Sequence, residues 1–322
     1  MAAHAVSSNS LYSSSSISSA GNLMAVYGSI SIQGVSPNMN DRLFVKEYFC
    51  RPVIFSGMPL HFFAVYDGRD SSHVSSLCKN LMHMIVAEEL MHTEHLESMT
   101  RGVSGGDGSS SSIAQGTCQQ VANEKIWEDK IRRALRNSFE RMDLALGTCS
   151  CDGASHICRC RPMVYNFLGS TANVAILSLH HIIVANCGHS RAVLCRAGKA
   201  VLLSSDHKPN RPDELERIYA AGGWLINRDG LLVNGILDIT RAIGDNLLKG
   251  IIISEPEITI TKREFKDEFL ILASDGLWNV LSNAQACQIV SSAKAASILS
   301  RLALARGSED NISIIVVDLS RH

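Results

Sequence analysis

No stretch of the chain approaches the roughly 20 consecutive apolar residues that a membrane helix needs, so a bilayer-spanning protein is not expected. Excess charge of either sign is also missing. With 30 Lys and Arg against 31 Asp and Glu, the formal net charge is -1. There is then no electrostatic reason to expect nucleic acid or an anionic membrane as the main partner. The chain does not open with a basic segment leading into an apolar one, as a secretory signal would. Its first residues, "MAAHAVSSNSLYSSSSISSA", are Ser-rich like a plastid transit peptide but contain no Arg. The 10 cysteines are therefore expected to be reduced thiols, and the protein to reside in nucleus and/or cytoplasm.

What is present is enough for a sizeable core: 46% of 322 residues are hydrophobic. The Ser-rich start, with no helical or strand periodicity, reads as a disordered tail over residues 1–22. Strands are expected at "LMAVYGSISIQG" and "HFFAVYD". A helix is expected from about Ser72 to Leu90, with Val74, Leu77, Leu81, Met84 and Ile85 on one face. A second covers "NEKIWEDKIRRALRNSFERMDLAL", with Ile126, Ile131, Ala134, Leu135 and Phe139 on its apolar face. Between the two, "RGVSGGDGSSSS" reads as a surface loop. The second half carries short β-branched runs punctuated by "NCG" and "RAG", as in an antiparallel meander. The helix "RPDELERIYAAGG" has Pro212 and acids in its first turn and Gly222 at its end. This mixture indicates an α+β layered domain with antiparallel sheets.

Three acids share a setting. Asp67 follows "FFAVY", Asp275 follows "FLILAS", and Asp310 precedes "NISIIVV", so each stands at the edge of a strand-like run. Gly or Asn follows each of them, permitting the tight turns that also turn backbone carbonyls toward a metal. Clustered carboxylate and carbonyl oxygens suit hard cations such as Mg²⁺ or Mn²⁺. Any one such pair is also an ordinary turn signal.

Longer motifs surround these acids: "GSTANVAIL", "VANCGHSRAVLCRAGKAVLLSSDHKPNRPDELERIYAAGG", "TRAIGDNLLK", "SEPEITI", "LILASDGLWNVLSN" and "RGSEDNISIIVVDL". In order and wording they resemble the motifs of the metal-dependent PP2C-type (PPM) protein serine/threonine phosphatases. The closest similarity is to the plant clade A branch associated with abscisic acid signalling and seed germination. The resemblance implies a phosphatase domain over residues 23–320 with a four-layer αββα sandwich of two antiparallel β-sheets flanked by helices. It also implies two Mg²⁺ or Mn²⁺ ions at one end, where water attacks a phosphoserine or phosphothreonine phosphorus in line. Carried over position by position, Asp67 would bridge the metals, the Gly68 carbonyl would ligate one, and Asp275 and Asp310 would complete the first site.

Several matched positions depart from the family pattern. "SPNMND" puts Ser36 in place of a phosphate-binding arginine and Asn40 in place of a metal-associated glutamate, leaving Met39 and Asp41. Asp-Gly-His-Gly-Gly becomes Asp67, Gly68, Arg69, Asp70 and Ser71, which removes the general-acid histidine. His189 and Asn279 stand where the pattern has aspartates. Each uncompensated charge a few ångströms from a cation is worth about 1 to 4 kcal/mol at effective dielectrics of 80 to 20. Weakened metal binding is expected, above all at the second site. Loss of a general acid alone forfeits roughly 10² to 10⁴ in rate. Against this, Asp70 or His189 could serve as substitute ligands and Arg69 could hold a phosphate.

Two expectations concern partners. The tryptophan through which clade A members lock onto hormone receptors is replaced by Arg228, with Trp224 expected as a packed strand residue, so weak or no receptor lock is predicted. Phosphorylated protein kinases or other phosphoproteins are the expected partners of a monomer. Cys149, Cys151, Cys158 and Cys160, with His156 nearby, could form a zinc site, but C-x-C spacing favours free thiols. The two surviving readings are an impaired phosphatase and a catalytically inactive relative that binds and sequesters kinases.

Overall fold

The computed structural model describes residues 25–93, 113–147, 168–228, 230–292 and 294–320. The Ser-rich tail, the "RGVSGGDGSSSS" loop and the Cys149/Cys151/Cys158/Cys160 cluster lie outside the described residues. In chain order the first half runs through β1 (Val26–Ile32), β2 (Arg42–Cys50), β3 (Leu60–Tyr66), β4 (Gly68–Arg69), α1 (His73–His92) and α2 (Ile113–Gly147). Then come β5 (Gly169–Ser170), β6 (Ala172–Leu177), β7 (His181–Cys187), β8 (Arg191–Arg196), β9 (Lys199–Leu202), α3 (Pro212–Ala220), β10 (Leu225–Asn227), β11 (Leu231–Val233) and β12 (Ile243–Gly244). The chain ends with β13 (Glu257–Lys262), β14 (Asp267–Ala273), α4 (Asp275–Trp278), α5 (Asn283–Ile289), α6 (Ala295–Ala305) and β15 (Ile312–Asp318).

Two five-stranded antiparallel sheets, in the orders β1-β15-β14-β8-β9 and β13-β7-β6-β3-β2, make the body of the molecule. Strand β3 shows how they stack. Every residue of "LHFFAVY" is buried, because both faces of the strand are covered. Phe62, Ala64 and Tyr66 join α1 and α2 residues such as Met82 and Phe139 in one core. Phe63 and Val65 point the other way and meet Leu270, Leu272, Ile315 and Val317 of the opposite sheet. The outer face of that sheet is covered by α4, α5 and α6 through Leu277, Ala286 and Leu299. The result is the expected four-layer αββα sandwich, with each fully buried Phe or Leu contributing about 1.5–3 kcal/mol. No helix among the described residues is long and apolar enough to cross a membrane.

The structure corrects three sequence expectations. In α1 the buried row is Val74, Cys78, Met82, Val86 and Leu90, a strict every-fourth-residue stripe. Leu77, Leu81 and Ile85 lie at its margin and Met84 is exposed. Ser75 is buried in the same helix because its hydroxyl donates to the Asn40 carbonyl. In α2 Ile126 is exposed, and the neighbouring Trp127 packs edge-on against Phe55 and donates its indole N–H to the Ile54 carbonyl. Trp224 is not packed: it sits just ahead of β10 and is half exposed.

Candidate active site

The two sheets are joined at one end of the sandwich by the turn Gly188–Ser190, which carries the chain from β7 in one sheet to β8 in the other. At that end Asp67 directly follows β3, β14 runs into Asp275 at the start of α4, and Asp310 precedes β15. A cavity of about 420 Å³ opens there, lined by Asp67, Asp70, His189, Asp238, Asp275 and Asp310. Gly68 cannot be larger: a Cβ would stand 2.7 Å from the Asn40 carbonyl oxygen and 2.8 Å from that of Ser71. Gly276 is equally fixed, since a Cβ would come within 2.1 Å of the Asn311 carbonyl oxygen.

His189 lies between two of the acids. Its Nδ1 is 3.8 Å from Asp67 Oδ2 and its Nε2 is 3.7 Å from Asp275 Oδ2. Both separations exceed hydrogen-bond reach. His189 Nδ1 and Asp275 Oδ1 are buried without a hydrogen-bond partner. The other Asp275 oxygen accepts from the Asn279 side-chain amide at 3.1 Å. The Asp67 backbone is held by β5 and β6: its carbonyl accepts from the Thr171 amide at 2.9 Å, and its own amide donates to the Thr171 hydroxyl at 3.2 Å.

Next to Asp67 lies Asp41, just ahead of β2 and almost fully buried. Burial pushes its carboxyl up to about 7, against hydrogen bonds from Ser274 and Ser313, and the charges of Asp275 and Asp310 add to the rise. Asp67 is raised well above the carboxylate range, first by burial and then by Asp41, Asp275 and Asp310. Asp310, at the mouth of the cleft, is raised by partial desolvation and by Asp275. Acids packed this closely repel one another, and a cation among them relieves the repulsion. Among the described residues, Asp67, His189 and Asp275 form the one group whose ligand atoms all lie within 4.8 Å of each other. With their orphaned buried atoms, these residues fit one divalent ion. The expected second position does not fit, because Asn40 brings an amide where a carboxylate is needed.

The other side of the chemistry comes from a small sheet in the order β12-β5-β4. Arg69 on β4 reaches the carboxylate of Asp245, which follows β12 in left-handed conformation and is 2% exposed. Gly169 of β5 makes room for that carboxylate, since a Cβ there would collide with Asp245 Oδ2.

A family model described as protein phosphatase 2C matches residues 25–312. The chain belongs to the protein phosphatase 2C family. It is 43% identical over 325 residues to probable protein phosphatase 2C 75 of Arabidopsis thaliana, covering 91% of this chain and 73% of that one. It is 42% identical to probable protein phosphatase 2C 68 of Oryza sativa subsp. japonica, covering 92% and 78%. The crystal structure of serine-threonine phosphatase 2C from Toxoplasma gondii superimposes with a TM-score of 0.69 over 97% of this chain and 98% of that one, at 20% identity, a likeness of fold.

Within this PP2C fold the cleft gathers the positions singled out in the sequence: Ser36, Asn40, Asp67, Gly68, Arg69, His189, Asp275 and Asp310 all line it. Asn279 reaches it through Asp275. Asp310 stands at the rim, outside the tight three-ligand group. Arg228 does not line the cleft. It is exposed in the turn between β10 and β11, its amide donating to the Gly230 carbonyl at 2.9 Å. Asp238 and Asp245 had been given no role. Asp245 lies within "TRAIGDNLLK", but nothing in that string shows that Arg69 is its partner.

Proposed function

We propose that this protein is a weakly active PP2C-type phosphatase that hydrolyses phosphoserine and phosphothreonine in proteins, with phosphorylated kinases of abscisic acid signalling as its substrates. Similarity of "CSCDGASHICRC" and "SSDHKPNRPDELERI" to the clade A pattern supports the signalling context, and the replacement at Arg228 supports action without a receptor lock.

The observation that carries the reading is the pairing of a group that still fits one cation, Asp67, His189 and Asp275, with an arginine in the general-acid position. Asp67, Asp275 and His189 would hold Mg²⁺ or Mn²⁺. When bound, such an ion lowers the pKa of water and offsets phosphate charge. Arg69 does something a histidine does not: its guanidinium keeps its proton throughout the accessible pH range. It can bind a phosphate oxygen but cannot protonate a leaving alkoxide. Anchoring by Asp245 fixes that cation at the cleft wall and offsets part of its attraction for substrate.

The test is phosphate release from a phosphothreonine peptide with Mn²⁺. Slow release that Asp67→Ala abolishes is expected. Arg69→His, Asn40→Glu and Ser36→Arg combined should accelerate it by roughly 10² to 10⁴. The second reading, a non-catalytic binder of phosphorylated kinases, is favoured by the same Arg69–Asp245 pair. It would be established by retained kinase binding with no release above that of Asp67→Ala.

A further inference from the structure

We infer that His189 is a metal ligand, and that Asp67, His189 and Asp275 form a mixed nitrogen and oxygen site selecting a first-row transition cation over Mg²⁺. The inference rests on the reading of this cleft as a cation site and names which cation it takes.

The argument starts from the imidazole itself. His189 is nine-tenths buried in a sharp turn behind Gly188, whose φ of +107° and whose lack of room for a Cβ, which would stand 2.6 Å from Thr171 Cγ2, leave the turn little freedom. A buried imidazole in a structural role normally spends both ring nitrogens on hydrogen bonds. His207, the other buried histidine near this turn, does so at one nitrogen, where the Gly188 amide donates to its Nδ1 at 3.1 Å. His189 instead directs its nitrogens at carboxylates 3.7 and 3.8 Å away. Two ligands each about 2.1 Å from one cation stand roughly 3.0 to 3.5 Å apart. Only one ring nitrogen can serve a given ion, and one such nitrogen with an oxygen from each of Asp67 and Asp275 forms a set within 4.8 Å. Binding therefore draws the set together by up to roughly 1 to 2 Å, and the ring is too far for direct hydrogen bonds.

Chemistry then decides the ion. Mg²⁺ prefers an all-oxygen octahedron and gives up its waters reluctantly, whereas imidazole suits Fe²⁺ and Zn²⁺ best, and Mn²⁺, the weakest binder of the first-row series, still accepts a nitrogen more readily than Mg²⁺ does. An aspartate at this position would give an oxygen-only set that does not exclude Mg²⁺. The neutral imidazole also lowers the negative charge of the set by one, which weakens the purely electrostatic attraction on which Mg²⁺ depends.

The test is Mn²⁺ binding to the full chain by calorimetry, with pulsed electron paramagnetic resonance of the bound ion. Wild type should show nitrogen modulation from one imidazole. His189→Ala should lose that signal and at least the roughly 10- to 100-fold in Mn²⁺ affinity that even a supporting group near a metal provides, while its Mg²⁺ affinity stays nearly unchanged. His189→Asp should bind Mg²⁺ more tightly than wild type does. Mn²⁺ bound without nitrogen modulation in wild type, or no Mn²⁺ binding at all, overturns the inference and needs no variant to fold. Nitrogen modulation without phosphate release overturns the phosphatase reading alone and leaves this one standing.

Discussion

The ends of the two large sheets and the small β12-β5-β4 sheet border the same cleft but handle charge in opposite ways. At the sheet ends, Asp41, Asp67, Asp275 and Asp310 are crowded together, and burial first, then their mutual repulsion, raises three of their carboxyls. At the small sheet, Asp245 is just as deeply placed, yet its partner is built in as Arg69. The first region is complete only with an added cation. The second carries its own. Function is expected where charge is left unpaired, and the paired region is where a buried charge is satisfied within the chain.

The largest effect should come from breaking the self-neutralised pair. Arg69→Met leaves the Asp245 carboxylate buried with its counter-charge gone, at a cost of about 3 kcal/mol, the low end for a buried pair because Arg69 is one-quarter exposed. Asp245→Asn leaves behind an arginine that water can reach, and should cost about 1 kcal/mol. Urea unfolding of both variants measures the asymmetry. Equal losses would mean that Asp245 does not depend on Arg69 for its charge.

The unpaired region should respond to pH in the metal-free protein. Asp41 is raised from 3.8 to about 7, so the stability it contributes is fully present below its unfolded value and lost as pH rises through about 7. Other groups act oppositely at lower pH: His61, lowered to about 4, adds stability as it deprotonates, and Glu257, lowered to about 2, loses stability only in stronger acid. The clean reading is therefore the difference between wild type and Asp41→Asn in a chelator. Wild type should lose roughly 2 to 3 kcal/mol relative to the variant between about pH 5 and pH 8. Thermal unfolding across that range checks it, and a flat difference curve would remove Asp41 from the account.

Much of the first region was legible in the sequence because its signals are local. The all-apolar run of β3 announces a strand covered on both faces, and an acid followed by Gly or Asn at a strand's end announces a turn that can present oxygen. Family-length motifs then fixed the order of the layers. The departures were local too: Arg69, Asn40 and His189 could be read off as changes. What they do instead could not. The Arg69–Asp245 contact spans 176 positions of the chain, and no periodicity or turn rule connects its ends. Strand β2, which starts just after Asp41 and sets it close to Asp67, drew no expectation because it is half-buried and mixes charged with apolar residues. In α1 the eye is drawn to Leu and Ile, while the buried stripe is built on Cys78, Met82 and Val86; packing against β3 decided the rotation.

The smallest effect concerns the Asp275 side of the sandwich rim. Asn279 stands one helical turn beyond Asp275 and donates its amide to that carboxylate, a neutral brace in place of a charge. Asn279→Asp would replace the donated hydrogen bond with a like charge four residues away. Exposed pairs of this kind are unfavourable by about 0.2 to 0.5 kcal/mol, and the burial of Asp275 pushes the cost to roughly 1 kcal/mol in the metal-free protein. With Mn²⁺ added, the sign should reverse, because the same carboxylate then adds to the attraction for the cation. The variant should thus melt below wild type in a chelator and gain more than wild type on adding Mn²⁺. If the two proteins shift equally with metal, the ion does not reach the Asp275 side of the cleft, and the contrast between an open rim and a self-paired small sheet would have to be drawn without it.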